Sequence, residues 1–205
     1  MEKKTLKKTI AFIDGQNLFY AVKNDFDCKY PNYDPKKLAH RVCEKQGWRL
    51  IKTCFYTGVP KSKHNQFWHD FWAKKITKLK AQKNVFVFSR YIHQRKLKFQ
   101  CQHCDQESIF SRGDEKGIDI RIAIDAIRAV LRSECDVILL FSQDQDLGEV
   151  ANEIKAIAKE QGKFIKVACA FPANSSQRGI NKTDWIPFDK NLYDQCIDSK
   201  DYRSK

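Results

Sequence analysis

The stretch Thr9-Ile10-Ala11-Phe12-Ile13-Asp14-Gly15-Gln16-Asn17 is an apolar run that stops on a carboxylate, a glycine and an amide. A short, nearly continuous apolar run fits a strand covered on both faces. The pattern returns at Asp136-Val137-Ile138-Leu139-Leu140-Phe141-Ser142, which leads into Gln143-Asp144-Gln145-Asp146. Between the two, Lys116-Gly117-Ile118-Asp119 opens a helical pattern. In open α/β sheets the functional crevice lies outside the carboxyl ends of the strands. Asp14, Asp144 and Asp146 follow strands, and Asp119 starts a helix able to flank the same crevice. Four carboxylates gathered there repel one another unless a hard divalent cation lies between them, and Mg²⁺ or Mn²⁺ prefers oxygen ligands.

Outward from these stretches, strands and helices alternate. Residues 8–14 read as a buried strand and Gln16 to about Asp25 as a short helix. Asp34 suits an N-cap and Pro35 the first turn of a second helix that Gly47 ends. Trp48 to Tyr56 is strand-like, 65–82 helical and Val85 to Phe88 a short strand. Ile118 to Leu131 has helical apolar spacing through Ile120, Ala123, Ile124, Ile127 and Leu131. Leu147 to Glu160 is a helix, and Phe164 to Ala170 the last strong strand. The expected fold class is therefore α/β: a doubly wound, mostly parallel sheet flanked by helices, with a small basic hairpin inserted at 91–112. The whole of 1–205 reads as one domain, with a flexible basic leader at 1–8 and a C-terminal tail at 171–205.

Lysine and arginine total 38 against 25 acidic residues, a formal net charge of +13. That excess suits a polyanion, through long-range attraction and counterion release. No segment approaches the roughly 18 apolar residues of a membrane span, and the N-terminus lacks the apolar region of a signal peptide. Cys43, Cys54, Cys135 and Cys169 fall within or beside core segments, where free cysteine acts as a small hydrophobe. A reduced, cytoplasmic protein without a membrane partner is expected.

The three motifs Phe12-Ile13-Asp14-Gly15-Gln16-Asn17, Lys116-Gly117-Ile118-Asp119-Ile120 and Phe141-Ser142-Gln143-Asp144-Gln145-Asp146-Leu147 together resemble the NYN domain, a branch of the PIN-like nucleases. The segment Arg178-Gly179-Ile180-Asn181-Lys182-Thr183-Asp184-Trp185-Ile186 also resembles the C-terminal segment of bacterial NYN proteins. Three motifs in order, each in its expected context, are far more specific than one. The resemblance implies a PIN-like fold and a metal-dependent endoribonuclease acting on RNA. It makes Asp14 and Asn17 the pair of the first motif, Asp119 the acid of the second, and Asp144 and Asp146 the pair of the third, led by the Ser142 hydroxyl. Asp14 and Asp144 are the primary metal ligands; Asp119 and Asp146 bind a second ion or orient the attacking water. Asn17 holds a ligand or contacts phosphate without adding charge. Gln143 and Gln145 stand where the family usually has small residues, which narrows the space beside the metal and bears on substrate choice.

Arg90, Arg95, Lys96 and Lys98, around the hairpin, are the expected substrate-gripping cations. Aromatic residues interleaved with Lys74, Lys75, Lys78 and Lys80 on the 65–82 helix offer a second gripping surface, or else a core helix with a solvated face. Cys101 and Cys104 have the spacing of one zinc knuckle, but structural zinc takes four ligands and no second pair occurs, so zinc is not expected. A DxD nucleotide-sugar transferase would use Asp144 and Asp146 but leave Asp14, Asn17 and Asp119 idle. A non-catalytic RNA-binding or adaptor module would retain acids that only repel RNA. The sequence leaves room for a homodimer and for a regulatory protein partner.

Overall fold

The computed structural model describes residues 5–100, 103–173 and 178–203. Along them run β1 (Lys7–Asp14), α1 (Gly15–Phe26), α2 (Pro35–Lys45), β2 (Trp48–Val59), α3 (Gln66–Lys80), β3 (Val85–Tyr91), β4 (His93–Gln100) and β5 (Glu107–Asp114). Then follow α4 (Ile118–Leu131), β6 (Val137–Phe141), α5 (Leu147–Glu160), β7 (Lys166–Pro172), β8 (Asp184–Phe188) and α6 (Lys190–Asp194). Six strands form one sheet in the order β3-β2-β1-β6-β7-β8, and every neighbouring pair is parallel. The chain winds outward from β1 in one direction and from β6 in the other. The strand order therefore reverses between β1 and β6, and the crevice belongs at their carboxyl ends.

Two apolar layers sandwich the sheet. On one face Ala11, Ile13, Phe55, Leu139 and Phe141 pack with Leu18, Val22, Leu38, Val42 and Phe71 from α1, α2 and α3. On the other, Ile10, Phe12, Ile138 and Leu140 pack with Ile122, Ala126, Ile154 and Ile157 from α4 and α5. All five residues of β6 are buried, as a strand covered on both sides requires. The α2 signals act as read: the Asp34 carboxylate accepts from the Lys37 N–H at 3.0 Å, Pro35 opens the helix, and Gly47 follows it at φ +65°.

Four sequence expectations change. The residues that give α4 its helical apolar spacing do not all face the core: Ile120, Ile124 and Leu131 are 66%, 45% and 52% exposed. The face that α4 buries is Ile118, Ile122, Ala126, Ala129 and Val130, where small residues allow close approach to the sheet and α5. Both stripes have helical spacing, and periodicity alone does not say which one meets a partner.

The segment read as a polar tail carries the sixth strand, and Ile186, Phe188, Leu192, Tyr193 and Tyr202 belong to the core. The lysines of α3 are partly structural. Lys75 is fully buried; its Nζ donates to the Pro31 and Tyr33 carbonyls at 2.5 and 2.6 Å and lies over the Tyr33 and Tyr202 rings. Lys78 pairs with Asp198. Of the leader reading, residues 1–4 lie outside the described residues, while Lys7 and Lys8 already pair with Trp48 and Arg49 in the sheet. Cys101 also lies outside them, and Cys104 is an exposed free thiol. No described helix is long and apolar enough to cross a membrane.

Burial pulls the Lys75 amine down from 10.5 to about 7. The unfolded chain keeps this proton to higher pH than the folded one, so Lys75 makes stability rise between about 7 and 10.5. Lys75→Met removes that rise and leaves two carbonyls unbonded, at about 1–3 kcal/mol each. Thermal melts of both proteins from about pH 6 to 9 are expected to show the wild-type advantage widening as pH increases.

Candidate active site

Asp14 is buried at the end of β1, and its position follows from backbone chemistry. It is the N-cap of α1: Oδ1 accepts from the Gln16 and Asn17 N–H groups at 3.2 and 3.0 Å, leaving Oδ2 for the crevice. The next residue must be glycine. A Cβ on Gly15 would lie 2.6 Å from the Phe55 ring and 2.8 Å from the Tyr56 carbonyl oxygen. Across the crevice, the loop after β6 is tied to itself and to α1. The Asp144 N–H donates to Ser142 Oγ, the Asp146 N–H donates to Asp144 Oδ1, and the Gln143 N–H donates to Asn17 Oδ1 at 2.8 Å. Asn17 therefore acts first as a clamp between the two halves of the sheet, and buried Ser142 as a support for Asp144. Asp146 stands at the N-cap of α5 with no side-chain cap bond and is exposed.

Gly117, at φ +76°, makes the turn that delivers Asp119 in the first turn of α4. A Cβ there would meet the Arg90 guanidinium at 2.8 Å, so Arg90 lies directly against this turn. The carboxyls sense one another. Burial pushes Asp14 up from 3.8 to about 7; the Asn17 amide opposes this, and Asp119 and then Asp144 reinforce it. Asp119 is likewise raised, by burial first and then by Asp144.

A fifth acid, Glu115, was not read from the sequence. Burial and then Asp14 push it up to about 8, its Oε1 is buried without a partner, and it fills the space over Gly58 at the end of β2. Its only sequence signal was an acid just before the Lys-Gly-x-Asp turn. The β2 edge that brings it inward is a tertiary fact.

The donor set is all oxygen and the acids destabilise one another as anions, which suits a hard divalent cation. Among the described residues no three acidic, histidine or cysteine side chains already form a coordination shell.

Gln143 and Gln145 do not crowd the site. Their amides turn to the returning segment: Gln143 Nε2 donates to the Arg178 carbonyl, Gln145 Nε2 to the Gly179 carbonyl, and the Asn181 N–H to Gln145 Oε1. The expected narrowing beside the metal is thus replaced by a strap that braces the loop. Asp125 is a support, accepting from the Tyr56 hydroxyl at 3.0 Å and from Arg121 at 2.8 Å. The hairpin cations separate. Arg95 is paired with Arg112, and Lys96 and Lys98 with Ser111 and Ile109. Because side chains alternate along a strand, Arg95 points to one side of the hairpin and the two lysines to the other.

A doubly wound parallel sheet with clustered acids at its switch point defines a PIN-like, nuclease-type fold. Residues 8–185 match the model of the NYN domain, and the chain belongs to that family. Among solved structures it is similar to a protein of unknown function from Vibrio parahaemolyticus, at 18% identity and TM-score 0.48 over 99% of both chains. It is also similar to a possible 1-phosphofructokinase from Thermotoga maritima, at 12% identity and TM-score 0.30, over 79% of this chain and 54% of that one. No curated protein matches the chain.

The raised carboxyls set a sign for stability without metal. The folded chain holds the Asp14 proton up to about 7 and the unfolded chain only to 3.8, so stability falls as pH climbs through that window. Asp14→Asn keeps the cap and removes the charge. In chelator, the variant is expected to melt above wild type at about pH 8 and to lose that advantage near pH 4; Glu115→Gln should behave in the same sense.

Proposed function

We propose that the protein is a metal-dependent ribonuclease that hydrolyses phosphodiester bonds within RNA. One observation carries this reading: Asp14 at the end of β1, Asp119 in the first turn of α4 and Asp144 in the loop after β6, far apart in sequence, converge at the switch point of the sheet, where burial and neighbouring carboxylates raise Asp14 and Asp119. The chain that carries these acids has a net charge of +13. A transferase built on Asp144 and Asp146 alone would not need the other two.

Asp14 Oδ2, Asp144 and Asp119 are the groups that would hold Mg²⁺ or Mn²⁺. Such an ion, when bound, neutralises charge on the phosphoryl oxygens and lowers the pKa of water. The protein's own part is positioning. The α1 amides fix Asp14, Asn17 fixes the loop carrying Asp144, and Gly117 aims Asp119. Asp146, exposed and uncapped, orients the attacking water. Glu115 holds a proton near neutrality and limits the charge that the site accumulates before metal and substrate arrive. The buried thiols suit a reducing, cytoplasmic setting.

Approach of the polyanion follows from the hairpin. Gln94 and Gly113 line a cleft beside the site, and Lys96 and Lys98 extend from the same side of the hairpin. That side, and not the Arg95 side, is the one to grip phosphate.

Asp14→Asn, Asp119→Asn and Asp144→Asn are each expected to lower Mn²⁺-dependent cleavage of RNA by about 10² or more while the fold is retained. Full activity in any of them would remove that residue from the site. Lys96→Ala/Lys98→Ala is expected to reduce the salt dependence of RNA binding by about 1.4 in log–log slope, at roughly 0.7 per single-strand phosphate contact. Arg95→Ala should leave the slope unchanged.

A further inference from the structure

Beside the acids lies a cleft of a different character, about 470 Å³ in volume. One wall is the face of α1 that presents Gln16, Phe19, Tyr20 and Lys23, at i, i+3, i+4 and i+7. The opposite wall is the start of α3, with Trp68 and Trp72, preceded by His64. Gln16 joins the two sites: its N–H caps Asp14, while its side chain lines the cleft. Among the described residues no carboxylate lines the cleft, although the acids begin two residues away. Its cations are Lys23 and Lys29.

The aromatic residues are arranged with one ring left open. Trp68 is held in a cluster, with ring centroids 6.3 Å from Phe19, 5.9 Å from Tyr30 and 5.2 Å from Phe71. Tyr20 contacts only Phe19 among aromatic rings and is 55% exposed. An exposed ring beside Phe19 and one turn before Lys23, on a helix whose N-cap is an active-site acid, is not explained by folding. Nor does the hydrolytic chemistry use it.

We infer that this cleft is a nucleobase subsite that sets base preference next to the scissile bond. The base stacks on Tyr20 against the Trp68 wall, Lys23 takes the adjoining phosphate, and the His64 and Gln16 side chains meet the base edge. The inference rests on the ribonuclease reading and names what that site selects. Aromatic stacking with an adjacent cation is the chemistry by which single nucleotides are held. An uncharged peptide or an acyl chain would use neither the lysines nor the proximity to a phosphate-handling site.

The test uses the full chain in two arms. In the first, metal-free Asp144→Asn protein is titrated with single-stranded hexamers of each base, reading anisotropy and tryptophan quenching. One hexamer is expected to bind tightest and to quench fluorescence. Tyr20→Ala in that background should weaken it about tenfold and level the four affinities, and Tyr20→Phe should restore both. Unchanged affinities in Tyr20→Ala, or equal affinities for all four bases in the parent, would overturn the subsite. Circular dichroism melts confirm that the exposed substitution leaves the fold intact.

In the second arm, wild type and Tyr20→Ala cut a mixed RNA with Mn²⁺, and the new ends are sequenced. A base bias in wild type that disappears in the variant supports the subsite, and an unchanged bias and KM refute it while leaving the nuclease intact. If wild type cuts nothing but the first arm succeeds, the hydrolytic reading fails and the cleft stands as a nucleotide-binding site.

Discussion

The structure turns on one buried carboxylate at the end of β1. Asp14 must satisfy two demands that oppose each other. The two α1 amides it accepts from favour its ionised form, and burial, with Asp119 and Asp144 nearby, pushes it toward the neutral form. The amides do not win that contest in the metal-free protein, since the carboxyl is raised to about 7. Everything around the position maintains the conflict instead of relieving it. Gly15 leaves no room for the chain to retreat, Asn17 pins the facing loop at 2.8 Å, and the strap from 178 to 181 braces that loop from behind. A carboxyl held well above its ordinary range by a rigid surround marks a candidate functional site more than a stabilising one.

This arrangement divides labour between the two sides of α1. Toward the sheet's switch point the helix offers backbone N–H groups to an acid. Along the face carrying Gln16, Tyr20 and Lys23 it offers side chains to a cleft without acids. On the ribonuclease reading proposed above, a polyanion would meet cations and rings first and the carboxylates only where the phosphate must arrive.

Most of the frame was legible in the sequence because it rests on local signals. The Asp34-Pro35 start and Gly47 stop fixed α2, the all-apolar Val137–Phe141 run marked a central strand, and the three acidic motifs were placed in their correct contexts. What escaped depends on which surfaces meet. The apolar stripe through Ile120, Ile124 and Leu131 has the right period for a core face, but small Ala126 and Ala129 on another face are what fit against the sheet. β8 was hidden because its exposed edge residues and Pro187 dilute the apolar signal of a five-residue strand. Glu115 and the Tyr20 cleft exist only once β2, α1 and α3 are brought together. Gln143 and Gln145 looked obstructive because their partners lie more than thirty positions downstream.

The central claim is that the acids at the switch point are a divalent-metal site, and binding linkage tests it most directly. Wild-type protein near neutral pH, freed of metal and then titrated with Mn²⁺, should melt at steadily higher temperature, rising with the logarithm of free Mn²⁺ above its Kd. The gain should approach about 2.7 kcal/mol when Mn²⁺ reaches a hundred times its Kd. The Asp144→Asn protein should start more stable and gain little. A wild-type melting temperature that does not respond to Mn²⁺ or Mg²⁺, or an equal response in the variant, would contradict the account.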